Sequence, residues 1–317
     1  MNECMEIDKR ISARHSDTNK YNLITVIVLS YGMSSLYWDT LQSVLQQDYP
    51  KLQLIISDDA SEEFNVLKVK QFIAANQGNN IVEVTVRQNL RNVGTTRHNN
   101  IAASFAKGQY IKFIADGDKF LNNTSLRSLW EFAQQYPSHD IVASPCLIVD
   151  SKSKKVLYQF PSARRITKIM KSRYIFDLLA YQNIYSAVGM LYRKEFFSDG
   201  GFDTSYRYLE DWPTWLRIAR KGITIPCSYK PTMEYTLSGI SNQSGTAFDS
   251  VMLHQDMCLC YEKEVFPFID TVSNKTRKFV EFQYSRLKND KNIKKHPVFL
   301  FRVYIKKIVK KLLVRLR

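Results

Sequence analysis

The chain has 317 residues, with 45 Lys and Arg against 30 Asp and Glu and a net charge of +15. That length suits one enzyme domain of about 200 to 250 residues plus an appendage, and neither an internal repeat nor a signal-peptide pattern is discernible. Cys4, Cys146, Cys227, Cys258 and Cys260 are too few and too scattered for a disulfide framework, which points to a reducing cytoplasm.

Residues 1–20 form a polar N-terminal segment. Ile24-Thr25-Val26-Ile27-Val28-Leu29 follows and runs into Ser30-Tyr31. Residues 36–47 carry Tyr37, Leu41, Val44 and Leu45 at helical spacing and close on Asp48-Tyr49-Pro50. A second apolar run, residues 52–56, ends in Ser57-Asp58-Asp59-Ala60-Ser61. The β-branched content of both runs predicts parallel strands covered on both faces, and together the three segments form a βαβ unit. A strand over 81–86, a helix from about Thr95 to Lys107 stopped by Gly108, and a strand over 109–115 continue the alternation. Ser151-Lys152-Ser153-Lys154-Lys155 reads as a turn between strands, residues 166–181 as one basic helix, and 183–192 as an apolar segment around Gly189.

The strand at 109–115 ends in Asp116-Gly117-Asp118. Two carboxylates this close repel one another, and burial near a core adds a desolvation cost. A divalent cation with hard oxygen ligands removes both problems and leaves positions open for phosphate oxygens. Mn²⁺ or Mg²⁺ is therefore the expected cofactor. In open α/β sheets ligands bind outside the carboxyl ends of the strands, where Tyr31, Asp59, Asp116 and Asp118 would converge. Neither G-x-G-x-x-G nor G-x-x-x-x-G-K-[ST] occurs, which disfavours a dinucleotide fold and a P-loop.

Val26 to Tyr31, Leu54 to Ser61, Asn92-Val93-Gly94 through Arg97, Tyr110 to Asp118, and Gly201-Phe202-Asp203 with Glu210-Asp211-Trp212 resemble, in order, the signature of family 2 glycosyltransferases with a GT-A fold. The resemblance covers roughly residues 21–225, and its nearest members build bacterial capsule or other surface polysaccharide. It implies an α/β fold with a Rossmann-like, mostly parallel central sheet and flanking helices, a glycosyltransferase domain over 21–245, and a C-terminal helical extension over 246–317. It also implies inverting transfer of one sugar from a nucleotide-diphosphate donor, with a UDP-sugar favoured over a dTDP-sugar. Carried over by position, Ser30, Tyr31, Asp59, Arg97 and Asp116 would bind the nucleotide, with Tyr31 against uracil or ribose and Asp59 on the base N3–H. Asp116 and Asp118 would hold the metal, Asp211 would be the general base, and Glu210 and Trp212 would support the site or the acceptor. Ala115 and Lys119 depart from the Asp-x-Asp-Asp common in the family, so both Asp116 and Asp118 stand as candidates for the direct metal bond. Two other classes share part of this pattern: a nucleotidyltransferase, which would need a Gly-rich basic loop not found here, and a catalytically inactive sugar-nucleotide-binding subunit. Residues 235–242 resemble a loop that closes over the diphosphate, with Thr236 where relatives carry arginine.

Residues 291–317 hold ten basic residues and no acidic one. Phe301, Ile305, Ile308, Val309 and Leu312 would line one face of a helix beside lysine-rich flanks. Charge interrupts the stretch too often for a bilayer span. It reads as an in-plane anchor on anionic lipid rather than a nucleic-acid arm, placing the protein in the cytoplasm, attached to the inner face of the membrane, where a glycan or polyprenyl-diphosphate-linked acceptor would lie.

Overall fold

The computed structural model describes residues 20–151, 153–236 and 247–288. The tail at 291–317 and the loop at 237–242 lie outside them. Strands β1 (Ile24–Ser30), β2 (Leu52–Asp58), β3 (Ile81–Gln88) and β4 (Tyr110–Ala115) are parallel neighbours in the order β3-β2-β1-β4. Every residue of β1 and β2 is buried, as central strands covered on both faces require. The helix Tyr37–Leu45 packs Tyr37, Leu41, Val44 and Leu45 inward. The other predicted helix is shorter than its pattern, Thr95–Ala103.

Beyond β4 the sheet turns antiparallel. β9 (Met190–Arg193) pairs with β4, and β6 (Ile141–Ala143) pairs with β9. A second sheet, absent from the sequence reading, has the order β5-β10-β7-β8, with β5 Lys119–Phe120, β7 Cys146–Val149, β8 Val156–Phe160 and β10 Met233–Thr236. Gly189 lies where the two sheets meet. A Cβ there would sit 2.0 Å from the Ser144 carbonyl oxygen, so only glycine lets the backbones approach this closely.

The single helix expected over 166–181 is instead two, Ala163–Met170 and Ile175–Tyr181. Ile166 and Ile169 are buried from the first, Ile175 and Leu179 from the second. Ile169 and Ile175 are six residues apart, a rotation of about 240° on a continuous helix, which would put them on opposing faces. The break at Lys171–Tyr174 brings both faces inward.

The helices Ala247–Cys260 and Asn274–Leu287 follow the second sheet. Cys260, Tyr261, Val265 and Val280 belong to the same hydrophobic cluster as Ile27, Phe113 and Trp215, so the extension shares the core of the first sheet. The four described cysteines are free thiols. No helix among the described residues is long and apolar enough to cross a membrane.

Candidate active site

Parallel register sets Ser30 opposite Asp58 and Leu29 opposite Ala115, so three strand ends open on one rim. The Ser30 hydroxyl donates to Asp58 Oδ2 at 2.8 Å, and Asp58 also accepts from Ser61 N, Ser61 Oγ and Gln88 Nε2. The Ser30 and Asp58 side chains thus close the turn themselves. Asp59 is buried and accepts from Asn89 Nδ2 at 2.7 Å, Val93 N at 3.0 Å and Gly94 N at 3.0 Å. Its carboxylate therefore shapes the 92–94 loop, and a base N3–H would join or displace these donors. Tyr31 stands on the rim, 55% exposed. Arg97 is exposed and lines a hollow with Arg91, Asn92 and Arg207. Gly94, at φ +85°, would carry a Cβ 2.6 Å from Arg207 Cγ, so the loop lies hard against that arginine.

Asp116 is partly accessible and accepts from Ser34 N at 2.6 Å and Ser34 Oγ at 2.5 Å. Asp118 is buried and accepts from Thr236 N at 3.3 Å. Thr40 ties the turn between them, its hydroxyl accepting from Gly117 N and donating to the Asp118 carbonyl. Burial raises both carboxyls above their ordinary range, Asp118 to about 8. Beneath them sits Lys112, wholly buried on β4, whose ammonium donates to the Val188 carbonyl. Burial lowers Lys112 to about 7, against the opposing pull of Asp118. A lysine inside an apolar strand needs a partner; the Val188 carbonyl takes its hydrogen bond, and Asp118 is the acid whose charge acts on it.

Two hard oxygen donors at a strand end fit Mn²⁺ or Mg²⁺, which bind through one or two carboxylates plus substrate phosphates. Among the described residues no group of three or more His, Cys, Asp or Glu side chains forms a closed cage. The protein's share of such an ion would be Asp116 and Asp118.

Asp211 opens the helix Asp211–Arg220. Its Oδ2 accepts from Asn183 Nδ2 at 2.7 Å and its Oδ1 from Trp212 N at 2.5 Å. Glu210 precedes it, and both remain partly accessible though ringed by protein. Burial pushes Glu210 up to about 8, the Asp211 charge adding to the shift, and burial also raises Asp211. Trp212 is part of the hydrophobic core. Its indole is buried, donates to the Leu179 carbonyl at 2.9 Å and packs edge-on against Tyr261. It is thus buried support for the helix that Asp211 opens.

Asp256, on the C-terminal helix, carried no signal in the sequence. Its Oδ2 accepts from three consecutive amides, Arg207 N at 2.9 Å, Tyr208 N at 2.6 Å and Leu209 N at 3.2 Å, and so fixes the strand of backbone that delivers Glu210 and Asp211. The Arg207 guanidinium reaches back to Asn92 Oδ1 at 2.6 Å, tying this backbone to the loop that Asp59 holds. The 183–189 segment is a second link: Asn183 holds Asp211, and Val188 holds Lys112 beside Asp118.

The model of the family described as "Glycosyl transferase family 2" matches residues 25–201, more than half of the chain. The chain belongs to glycosyl transferase family 2. This glycosyltransferase is 26% identical over 208 residues to the UDP-Glc:alpha-D-GlcNAc-diphosphoundecaprenol beta-1,3-glucosyltransferase WfaP of Escherichia coli, covering 63% of this chain and 72% of that protein. It is 22% identical over 265 residues to TuaG of Bacillus subtilis, named for teichuronic acid biosynthesis, covering 82% of this chain and 99% of that protein. Among solved structures, S. aureus TarS 1-349 in complex with UDP-GlcNAc superposes with a TM-score of 0.52 at 16% identity, covering 83% of this chain and 81% of that one. The mannosyltransferase PcManGT from Pyrobaculum calidifontis, in complex with GDP-Man and Mn2+, gives 0.55 at 15% identity, covering 83% and 69%. These likenesses show the GT-A fold of this family 2 glycosyltransferase.

Proposed function

We propose that the enzyme transfers one sugar, with inversion, from a UDP-sugar to a glycan or polyprenyl-diphosphate-linked acceptor in bacterial surface polysaccharide synthesis. The observation that carries this reading is that one segment, 183–189, reaches both acidic centres: Asn183 donates to Asp211, and the Val188 carbonyl accepts from Lys112, on which the Asp118 charge acts. An in-line displacement needs this division, because the base must act on the sugar face opposite the leaving diphosphate. Asp211 takes the proton from the attacking hydroxyl, positioned by Asn183. Burial and the Asp211 charge favour the protonated form of Glu210, which keeps a second negative charge away from the base. A bound Mn²⁺ or Mg²⁺ would supply charge stabilisation to the departing diphosphate.

Calorimetric titration with UDP, dTDP and GDP tests the donor side. UDP is expected to bind with Mn²⁺, and EDTA is expected to weaken that binding by about tenfold or more. Equal binding with EDTA would refute metal bridging, and preferential GDP binding would refute the UDP donor.

The basic tail at 291–317 is proposed to hold the enzyme on the cytoplasmic membrane face. Full-length protein is expected to float with anionic liposomes at low salt, and a chain ending at residue 290 to remain at the bottom of the gradient. Flotation of the shortened chain would overturn this assignment.

A further inference from the structure

A cavity of about 460 Å³ lies between the helices Ala163–Met170 and Ile175–Tyr181 and the start of Asn274–Leu287. Arg164, Arg165, Lys168 and Lys275 line it, over a floor that includes Ile169 and Ile184. Among the described residues none of the four cations forms an ion pair, although the Arg165 guanidinium donates to the Gln182 side-chain oxygen and the Lys275 ammonium lies 5.7 Å from the centre of the Tyr181 ring. The one carboxylate in the lining, Asp177, already accepts from Ser273 N at 2.7 Å. Lys171 and Arg173 extend the basic surface from an adjoining hollow that shares Arg164 and Lys168. Cations that line one hollow favour an anion that neutralises them, and guanidinium groups bind phosphate oxygens in pairs.

Location supplies the second half of the argument. Gln182 and Ile184 are cavity walls, and the residue between them, Asn183, donates to the Asp211 carboxylate. An anion held in the cavity is therefore anchored against the segment that positions Asp211, and neither Asp116 nor Asp118 lines the cavity. We propose that this cavity binds the diphosphate of the acceptor, with Arg164, Arg165, Lys168 and Lys275 as its anion ligands. The proposal rests on the glycosyltransferase reading above and names the part of the acceptor that the protein grips. The attacking hydroxyl is then presented to Asp211 by a molecule anchored through its own phosphates.

Geranylgeranyl diphosphate in detergent micelles, inorganic pyrophosphate, and geranylgeraniol are to be titrated against the full chain in EDTA, which silences any metal-bridged binding at the donor site. Wild type and an Arg164→Glu/Lys168→Glu variant are compared, so that the basic tail, common to both, cancels. The lipid diphosphate is expected to bind wild type and to lose about tenfold or more in the variant, with geranylgeraniol binding neither. Pyrophosphate showing the same loss at similar affinity would mean that the site reads the diphosphate alone; a much tighter lipid would mean that the chain contributes. Equal affinity of the variant and wild type for the lipid diphosphate would overturn the proposal. Mn²⁺-dependent UDP binding and the melting temperature, measured on the same two proteins, are expected to be unchanged. Failure of UDP binding in wild type would count against the donor assignment and not against this site.

Discussion

Replacing Asp211 with Asn is expected to lower kcat for sugar transfer by about 10² to 10⁴-fold, the usual contribution of a positioned base, with UDP affinity unchanged. Asparagine preserves the size of the side chain and its acceptor toward Asn183, but it cannot take a proton from a hydroxyl. The pH profile carries a second signature. A base works in its ionised form, so the rate rises with pH through its pKa, and burial lifts Asp211 above the ordinary carboxylate range. The acid limb should accordingly lie above the pH near 4 expected of a free carboxyl, and the residual rate of the Asn variant should lack it. Glu210→Gln offers the contrast. Glutamine mimics the protonated form that Glu210 holds below about 8, so this variant is expected to retain most activity at pH 7. Steady-state kinetics from pH 5 to 9 distinguish the three proteins, and full activity in Asp211→Asn would remove it as the base.

Asp118→Asn is expected to reduce turnover by about 10²-fold or more, since a metal supplies several kcal/mol of charge stabilisation to such a leaving group. Its stability should move the other way. Without metal the buried Asp118 retains its proton up to about pH 8, whereas in the unfolded chain it ionises near 4. Between those values the folded state binds more protons, so the stability due to this group falls as pH rises. Asparagine has no proton to lose. In EDTA, thermal melts of the variant are therefore expected to gain on wild type from pH 5 to pH 8. A variant that keeps Mn²⁺-dependent turnover would exclude Asp118 from the metal site.

The strands whose ends form the rim were legible because a buried parallel strand is an apolar run, and each run here stops at polar residues on the rim. The second sheet was not. β5 has two residues and meets β10 through Glu234, more than a hundred positions away, so it carries neither period nor local pairing. The sequence also placed Asp58 and Asp59 together at a strand end without revealing that one carboxylate closes the turn and the other holds the 92–94 loop. Lys112 left a trace, a charge inside an apolar strand, which only the folded position of Asp118 explains. Asp256 left none. An acidic residue within a helix is ordinary in sequence, and its three amide partners lie nearly fifty residues earlier.

That clasp of three amides imposes an order on biosynthesis. As the chain leaves the ribosome, every described strand of both sheets has emerged by Thr236, and with them Asp59, Asp116 and Asp118 at the strand ends. The carboxylate that steadies Arg207, Tyr208 and Leu209 follows twenty residues later. The nascent protein thus completes the rim of strand ends first and the clasp behind Glu210 and Asp211 last.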